Sequence, residues 1–316
     1  MHILLLCALF LFLLVLGICF WCYRIGFYAP RKKTHPEGYI DLPEGKIYEP
    51  YYEDMTRWVL EARALPQEKM QITTFDGLKL TGTYYECFPG APIELMFHGY
   101  RGNAERDLSG GVQRCFRLGH SALIVDQRCA GGSDGHTITF GIKEHKDAAC
   151  WLDFLLRRFG PDVKIILTGL SMGAATVMMA AGTDLPQQVV GVLADCGYSS
   201  AKEIIGLAIQ NMGLPVKLSY PFARLGALIF GGFDPEETSP VEALKKARVP
   251  VIFFHGEDDD FVPCYMSKAC FDACASRKKL VTVPGAGHGL SYPRDPEGYI
   301  RAVREFFGPE LCPETK

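Results

Sequence analysis

Residues 163–168 read as a short buried strand, and the chain leaves it through Gly169-Leu170-Ser171-Met172-Gly173 into a small-residue helix over 171–182. A serine on so sharp a strand-to-helix turn takes an unfavourable backbone conformation, and glycines on either side remove Cβ atoms that would otherwise collide. The hydroxyl is pushed out above the sheet. Ser171 is therefore a candidate nucleophile, provided that the surrounding sequence supplies a sheet and partners for it.

The sheet is legible. Residues 70–75 and 78–85, separated by Asp76-Gly77, predict a hairpin. Short apolar strands follow at 93–97, 121–125, 163–168, 189–194, 250–254 and 279–283, separated by helical stretches that include 104–118, 142–159 and 171–182. Repeated strand-helix-strand order predicts an α/β fold with a mostly parallel, eight-stranded sheet, helices on both faces and chemistry at the carboxyl ends of the strands. The rhythm breaks between Asp195 and Val249, where apolar helical patches near 201–212 and 221–230 replace strands. A structureless loop of that length is improbable in a compact domain, so the segment at about 198–245 reads as a helical cap that should wall a pocket.

The first segment differs in kind. Residues 3–23 carry no charged side chain, and at 1.5 Å per residue they span roughly 31 Å, enough to cross a hydrocarbon core. No Lys or Arg precedes the run and its length exceeds that of a usual signal-peptide core, so 1–23 is expected to be an uncleaved anchor. Arg24, Arg31, Lys32 and Lys33 follow it while only His2 precedes it, which puts the body on the cytoplasmic side by the positive-inside rule. Residues 24–66, punctuated by five prolines, read as a linker with one short helix near 51–63. That helix is expected to pack on the domain at 67–312 rather than on the bilayer. A net charge of -3 gives no reason to expect a nucleic-acid partner.

Cysteines give no metal or disulfide framework. Three of the twelve lie in the span, and the other nine lack zinc-ligand spacing. Cys270 and Cys274, one helical turn apart, read as buried helix residues. No metal and no organic cofactor is implied.

A serine hydroxyl needs a base, and the base needs an acid to hold its tautomer. His288 lies in Gly285-Ala286-Gly287-His288-Gly289, just past the last strand, where a loop can bring imidazole over the serine. His120, His136 and His145 read as ordinary surface residues, His98 and His255 as structural, and His2 and His35 lie outside the domain. After the strand at 250–254, Asp258, Asp259 and Asp260 compete for the acid position, with Asp195 as a further alternative. The amide of Met172, at a helix start, is a candidate oxyanion donor.

These features together resemble the α/β-hydrolase superfamily over residues 70–307. Phe97-His98-Gly99-Tyr100 resembles its HG-type oxyanion motif, and Asp126-Gln127-Arg128 leading to Gly131, Ser133, Asp134 and Gly135 resembles its D-x-R-G-x-G-x-S-x-G loop. Cys129 stands where that loop usually has glycine, which is expected to alter loop shape rather than chemistry. The anchor and aromatic-rich linker helix are most similar to bacterial membrane-anchored hydrolases of the serine-aminopeptidase-like branch. The resemblance implies Ser171 as nucleophile, His288 as base, Asp259 as acid by the H-G-x-x-D-x-x-V-P pattern, and Tyr100 beside Met172 in the oxyanion hole. It implies cleavage of an ester, thioester or amide through an acyl-enzyme, on a small-molecule or lipid-like acyl substrate. A peptidase of the aminopeptidase-like type and a noncatalytic membrane-tethered binding protein are the competing readings.

Overall fold

A computed structural model describes residues 1–30, 36 and 38–313; Arg31, Lys32, Lys33 and His35 lie outside the described residues. The chain opens with α1 (His2–Gly26), then a 3-10 turn (Glu49–Tyr51) that runs into α2 (Tyr52–Ala64). The hairpin is β1 (Glu68–Thr73) and β2 (Lys79–Tyr85). The alternating part follows as β3 (Ile93–Phe97), α3 (Ala104–Leu118), β4 (Ser121–Val125), α4 (Glu144–Phe159), β5 (Ile165–Leu170), α5 (Met172–Ala181) and β6 (Val189–Asp195). Next come α6 (Ala201–Asn211), α7 (Val216–Gly226), a π-helical turn (Ala227–Gly231) and α8 (Pro240–Leu244). The chain closes with β7 (Val251–Gly256), α9 (Tyr265–Ala273), β8 (Lys278–Val283), α10 (Ser291–Arg294) and α11 (Pro296–Phe307).

All eight strands form one sheet in the order β1-β2-β4-β3-β5-β6-β7-β8. β2 pairs antiparallel with β1 and β4, and every other pair is parallel. Side chains alternate between the two faces, as the pleat requires. Ile93, Leu95 and Phe97 of β3 join Trp151 of α4 and Val177 of α5 in one core. On the opposite face Met96 packs with Leu108 and Val112 of α3, and Ile252 and Phe254 pack with Tyr299 and Val303 of α11. Each such side chain, fully buried, contributes about 1.5–3 kcal/mol, and because both faces are covered the strands hold their ends rigidly. β5 runs two residues later than the expected 163–168, because pairing begins where Ile165 meets Ile93.

Within this apolar layer sits a charged cluster. Glu94, fully buried on β3, accepts from Arg114, from Thr168 Oγ1 at 2.8 Å and pairs with His120 Nδ1 at 2.8 Å. Burial alone would raise its pKa, but Arg114 and His120 hold it down at about 2. His120 is therefore no surface residue: it is fully buried, and its Nε2 reaches the Leu311 carbonyl at 2.7 Å, tying down the C-terminal segment.

α2 packs on the domain through buried Val59 and Ala62, with Trp58 against Tyr292 and a two-bond fork from Arg63 to Glu105 at 2.8 and 2.7 Å. None of the twelve cysteines is in a disulfide. Cys270 is buried within α9 and Cys274 is buried just past its end.

α1 is apolar and long enough to cross a membrane. Its first half is exposed, whereas one face of its second half packs on α7 and the turn after it. Phe20 and Tyr23 meet Phe230, and Phe27 sits between Phe140 and Phe233.

Candidate active site

Ser171 sits one residue beyond β5 with φ 55° and ψ -113°, a conformation disfavoured for any residue with a Cβ. Its neighbours tolerate no side chain. A Cβ on Gly169 would lie 2.1 Å from the Gly173 carbonyl oxygen, and one on Gly173 would lie 2.0 Å from that of Phe97. The strain is held in place by the Ser171 amide, which donates to the Asp195 carbonyl of β6 at 2.8 Å. The expected elbow is thus fixed by packing on three strands, and helix α5 starts at Met172 rather than at Ser171.

The turns after β7 and β8 bring two further groups over it. His288 Nε2 lies 2.9 Å from Ser171 Oγ, and His288 Nδ1 lies 2.7 Å from Asp259 Oδ2. Among the three adjacent acids, only Asp259 is buried; Asp258 and Asp260 point to solvent. Asp259 Oδ1 accepts from the amides of Phe261 and Val262 at 3.0 and 2.8 Å. Burial by itself would raise its pKa, but hydrogen bonds from His255 and His288 overcome that and hold it at about 2. The group is a carboxylate at neutral pH. With the Nδ1 proton given to Asp259, Nε2 is free to take the hydroxyl proton of Ser171, which is the chemistry of a serine nucleophile with its base.

Asp195 is not part of this chain of bonds. Its carboxylate accepts from Ser291 Oγ at 2.8 Å, and burial raises its pKa, so it ties the end of β6 to the start of α10. His98 joins two loops: its Nδ1 bonds the Gly99 carbonyl at 2.7 Å and its Nε2 accepts from the Gln127 amide at 3.0 Å. His255 bonds Ser267 Oγ and the Val262 carbonyl, and its Nε2 also stands 3.3 Å from Asp259 Oδ2. That last contact, which adds a second imidazole to the acid, carries no sequence signal beyond the histidine's place at a strand end. His136 is exposed and stacks on Tyr28, and His145 is half-buried against the Gly141 carbonyl.

Cys196 is another residue that motif reading passes over. Its φ is 47°, and its thiol, Asp259 and His288 offer atoms within 4.8 Å of one another. Burial and the nearby Asp195 push the thiol well above its ordinary pKa, so it stays neutral and packs under the acid and base. Cys129 takes φ 72°, a left-handed conformation suited to the glycine it replaces, with its amide on the Asp134 carbonyl at 2.8 Å.

Met172 opens α5, so its N–H is among the amides a helix leaves unpaired at its start. Tyr100 follows Gly99 in the turn after β3 and lines the cleft above Ser171. Its hydroxyl donates to the Gly26 carbonyl at 2.7 Å, and Arg101 donates to the Ile25 carbonyl at 2.7 Å. The turn is thereby fastened to the end of α1.

The cleft itself, 410 Å³ in volume, corrects one expectation. Its walls are Pro43 to Tyr48 of the segment read as a linker, Tyr100, and Phe261, whose ring lies 5.0 Å from that of His288. Among the described residues, none of 198–245 lines it. The expected cap instead packs on α1 through α7 and on α5 through α8, burying apolar faces that water cannot satisfy. The segment at 43–48 is held over the site by Tyr52, which donates to the Pro43 carbonyl at 2.9 Å.

No known family profile matches the chain. The uncharacterized protein YqkD of Bacillus subtilis is 28% identical over 190 residues, covering 60% of this chain and 62% of that relative, so less than two thirds of its length is matched. The α/β-hydrolase domain-containing protein WAV2 of Arabidopsis thaliana is 25% identical over 218 residues, covering 68% of this chain and 69% of its own. In three dimensions the chain is similar to the esterase PF2001 of Pyrococcus furiosus, with a TM-score of 0.64 at 20% identity, over 88% of this chain and 98% of that one. Sheet order, serine-bearing elbow and these likenesses together show that the chain has the α/β-hydrolase fold.

Proposed function

We propose that the chain is a serine hydrolase tethered to a membrane by α1, with Ser171 as nucleophile, His288 as general base and Asp259 as the group that orients it. The observation that carries this reading is the unbroken path from Asp259 Oδ2 through His288 to Ser171 Oγ, with bonds of 2.7 and 2.9 Å. Ser171 attacks a carbonyl carbon while His288 takes its proton. The tetrahedral oxyanion is met by the amides of Met172 and Tyr100, each such donor being worth about 3 kcal/mol in the transition state. His288 then protonates the leaving group, and water, activated by the same imidazole, releases the acyl group from Ser171.

The esterase name of the Pyrococcus furiosus neighbour favours ester cleavage over peptide cleavage. A cleft walled by Ile47, Tyr48, Tyr100 and Phe261 suits an apolar acyl group, which agrees with a small or lipid-like acyl substrate. The domain faces the cytoplasm in this reading, on the strength of the basic residues that follow the span.

The test is labelling of the full chain, in detergent, with a fluorophosphonate probe. The parent should label and Ser171→Ala should not; an unlabelled parent, or a variant that labels equally, removes the nucleophile. A hydrolysis screen over acyl chain lengths and over ester, thioester and peptide bonds then decides the substrate class. Protease access to the body in intact cells would overturn the cytoplasmic side.

A further inference from the structure

After α1, thirteen large apolar side chains are exposed among the described residues, and six of them fall between Met212 and Ile229. They are ordered. Leu218, Leu225, Leu228 and Ile229, with Pro221, recur at three- and four-residue spacing along α7 and the π-helical turn. That spacing draws one stripe on the side opposite buried Tyr220, Ala223 and Gly226. Met212 and Leu214 extend it into the connection from α6. Soluble surfaces scatter such residues singly, and a contiguous patch of this kind marks an interaction site.

Its neighbour identifies its partner. α7 lies directly against α1: a Cβ on Gly226 would be 2.3 Å from the Cys19 carbonyl oxygen, and Phe230 touches Phe20 and Tyr23. Counting about 20 residues for the hydrocarbon core from Ile3 brings α1 out of the apolar layer near Cys22. The contact with α7 thus straddles the depth at which α1 leaves the hydrocarbon. Trp21, 66% exposed on α1, stands at that level, where indole rings favour the boundary between acyl chains and headgroups. Lys217, exposed beside Leu218, supplies a cation for the headgroup side.

We infer that the exposed stripe of α7 and its flanking turns is a lipid-docking surface, seated in the interfacial layer of the same bilayer that α1 crosses. The inference rests on the membrane reading of α1. The partner is the acyl and headgroup boundary of a lipid leaflet, and docking there would hold the domain at a fixed tilt beside its anchor, as amphipathic helices lie in the membrane plane.

Tryptophan quenching tests this with the full chain reconstituted in phosphatidylcholine vesicles that contain brominated lipids. Measured against the Trp21→Phe protein, whose Trp58 and Trp151 set the baseline, the indole added by Leu218→Trp should lose its intensity roughly twofold with lipids brominated near the headgroup. An indole added by Phe88→Trp, in the loop at the amino ends of the strands, should stay bright. Quenching of Trp21 in the parent reads the anchor separately. If Trp21 is quenched and position 218 is not, the docking surface is overturned while the anchor stands. Were neither quenched, the anchor itself would fail and the docking surface with it. Equal quenching at 88 and 218 would mean nonspecific adhesion and overturn the inference too.

Discussion

The floor of the cleft carries Ser171, Asp259 and His288 on turns one, three and five residues beyond β5, β7 and β8, whereas its walls come from a segment that precedes the sheet and from a turn fastened to α1. The floor inherits its precision from strands buried on both faces, which cannot shift without opening a core packed like a crystal. The walls inherit theirs from a few hydrogen bonds: Tyr52 to the Pro43 carbonyl, Tyr100 to Gly26, Arg101 to Ile25. The site is thus held rigidly below and adjustably above. Substitutions in the floor should abolish turnover, and substitutions in the walls should retune it.

The largest effect is expected at the nucleophile. Ser171→Ala should lower kcat by on the order of 10⁶ with the fold intact, measured by ester hydrolysis alongside far-UV circular dichroism. Asp259→Asn comes next, at on the order of 10⁴ in kcat, because an amide favours the wrong imidazole tautomer. Asp195→Asn should leave kcat within a few-fold of the parent. If Asp195→Asn were the silent-turnover variant and Asp259→Asn the active one, the floor would be assigned to the wrong acid.

The acid can also be read through stability. Asp259 is held at about 2 against an ordinary value near ~3.9, so its folded pKa is depressed. The stability it contributes is fully present above about pH 4 and is lost as pH falls towards 2. Denaturant midpoints measured across that window should fall more steeply for the parent than for Asp259→Asn. Equal slopes would mean that Asp259 is not held as a buried carboxylate.

The floor was legible in the sequence because each of its residues follows an apolar strand and sits in a turn whose glycines have a steric reason. Gly169 and Gly173 are such a case, since close backbone approach leaves room for nothing larger. The choice of Asp259 over its neighbours needed the family pattern; the structure supplies the cause, since only that carboxylate turns inward onto two amides and two imidazoles. The walls were not legible. Residues 43–48 have no periodicity, and their place over Ser171 depends on Tyr52 and on the docking of α2 against α3 and Tyr292, which lie far from it in sequence. The cap's helical periodicity is plain in the sequence, but its apolar faces meet α1, α5 and solvent rather than a pocket. Periodicity reports that a face is apolar and says nothing of what covers it. His120 was misread for a related reason, since its burial depends on Glu94 lying inside the sheet and on the returning C-terminal segment.

The wall nearest the chemistry is the Tyr100 turn. Arg101 takes φ 54°, so the turn is strained, and its two side chains draw it onto the final carbonyls of α1. Tyr100→Phe removes one hydrogen bond worth about 1 kcal/mol, which corresponds to roughly a fivefold loss. That loss should fall on kcat with KM little changed if, as proposed, the turn positions an amide that meets only the transition state. An effect on KM alone would mean that Tyr100 merely lines the cleft.

The smallest effect is expected at Ile47, which lines the cleft beside Gly287 and is 42% exposed. Ile47→Ala removes apolar surface that contacts the acyl group equally in the ground state and the transition state. Such uniform binding appears in KM and not in kcat. Half-exposed, the lost methylenes are worth about 1 kcal/mol, or roughly a fivefold rise in KM for long acyl esters and less for acetyl esters. The dependence on chain length is the sharper reading, since it tells whether residues 43–48 hold the acyl group or the leaving group. A rise in KM that tracks the alcohol instead of the acyl chain would move the acyl group to the Phe261 side of His288 and leave the floor unchanged.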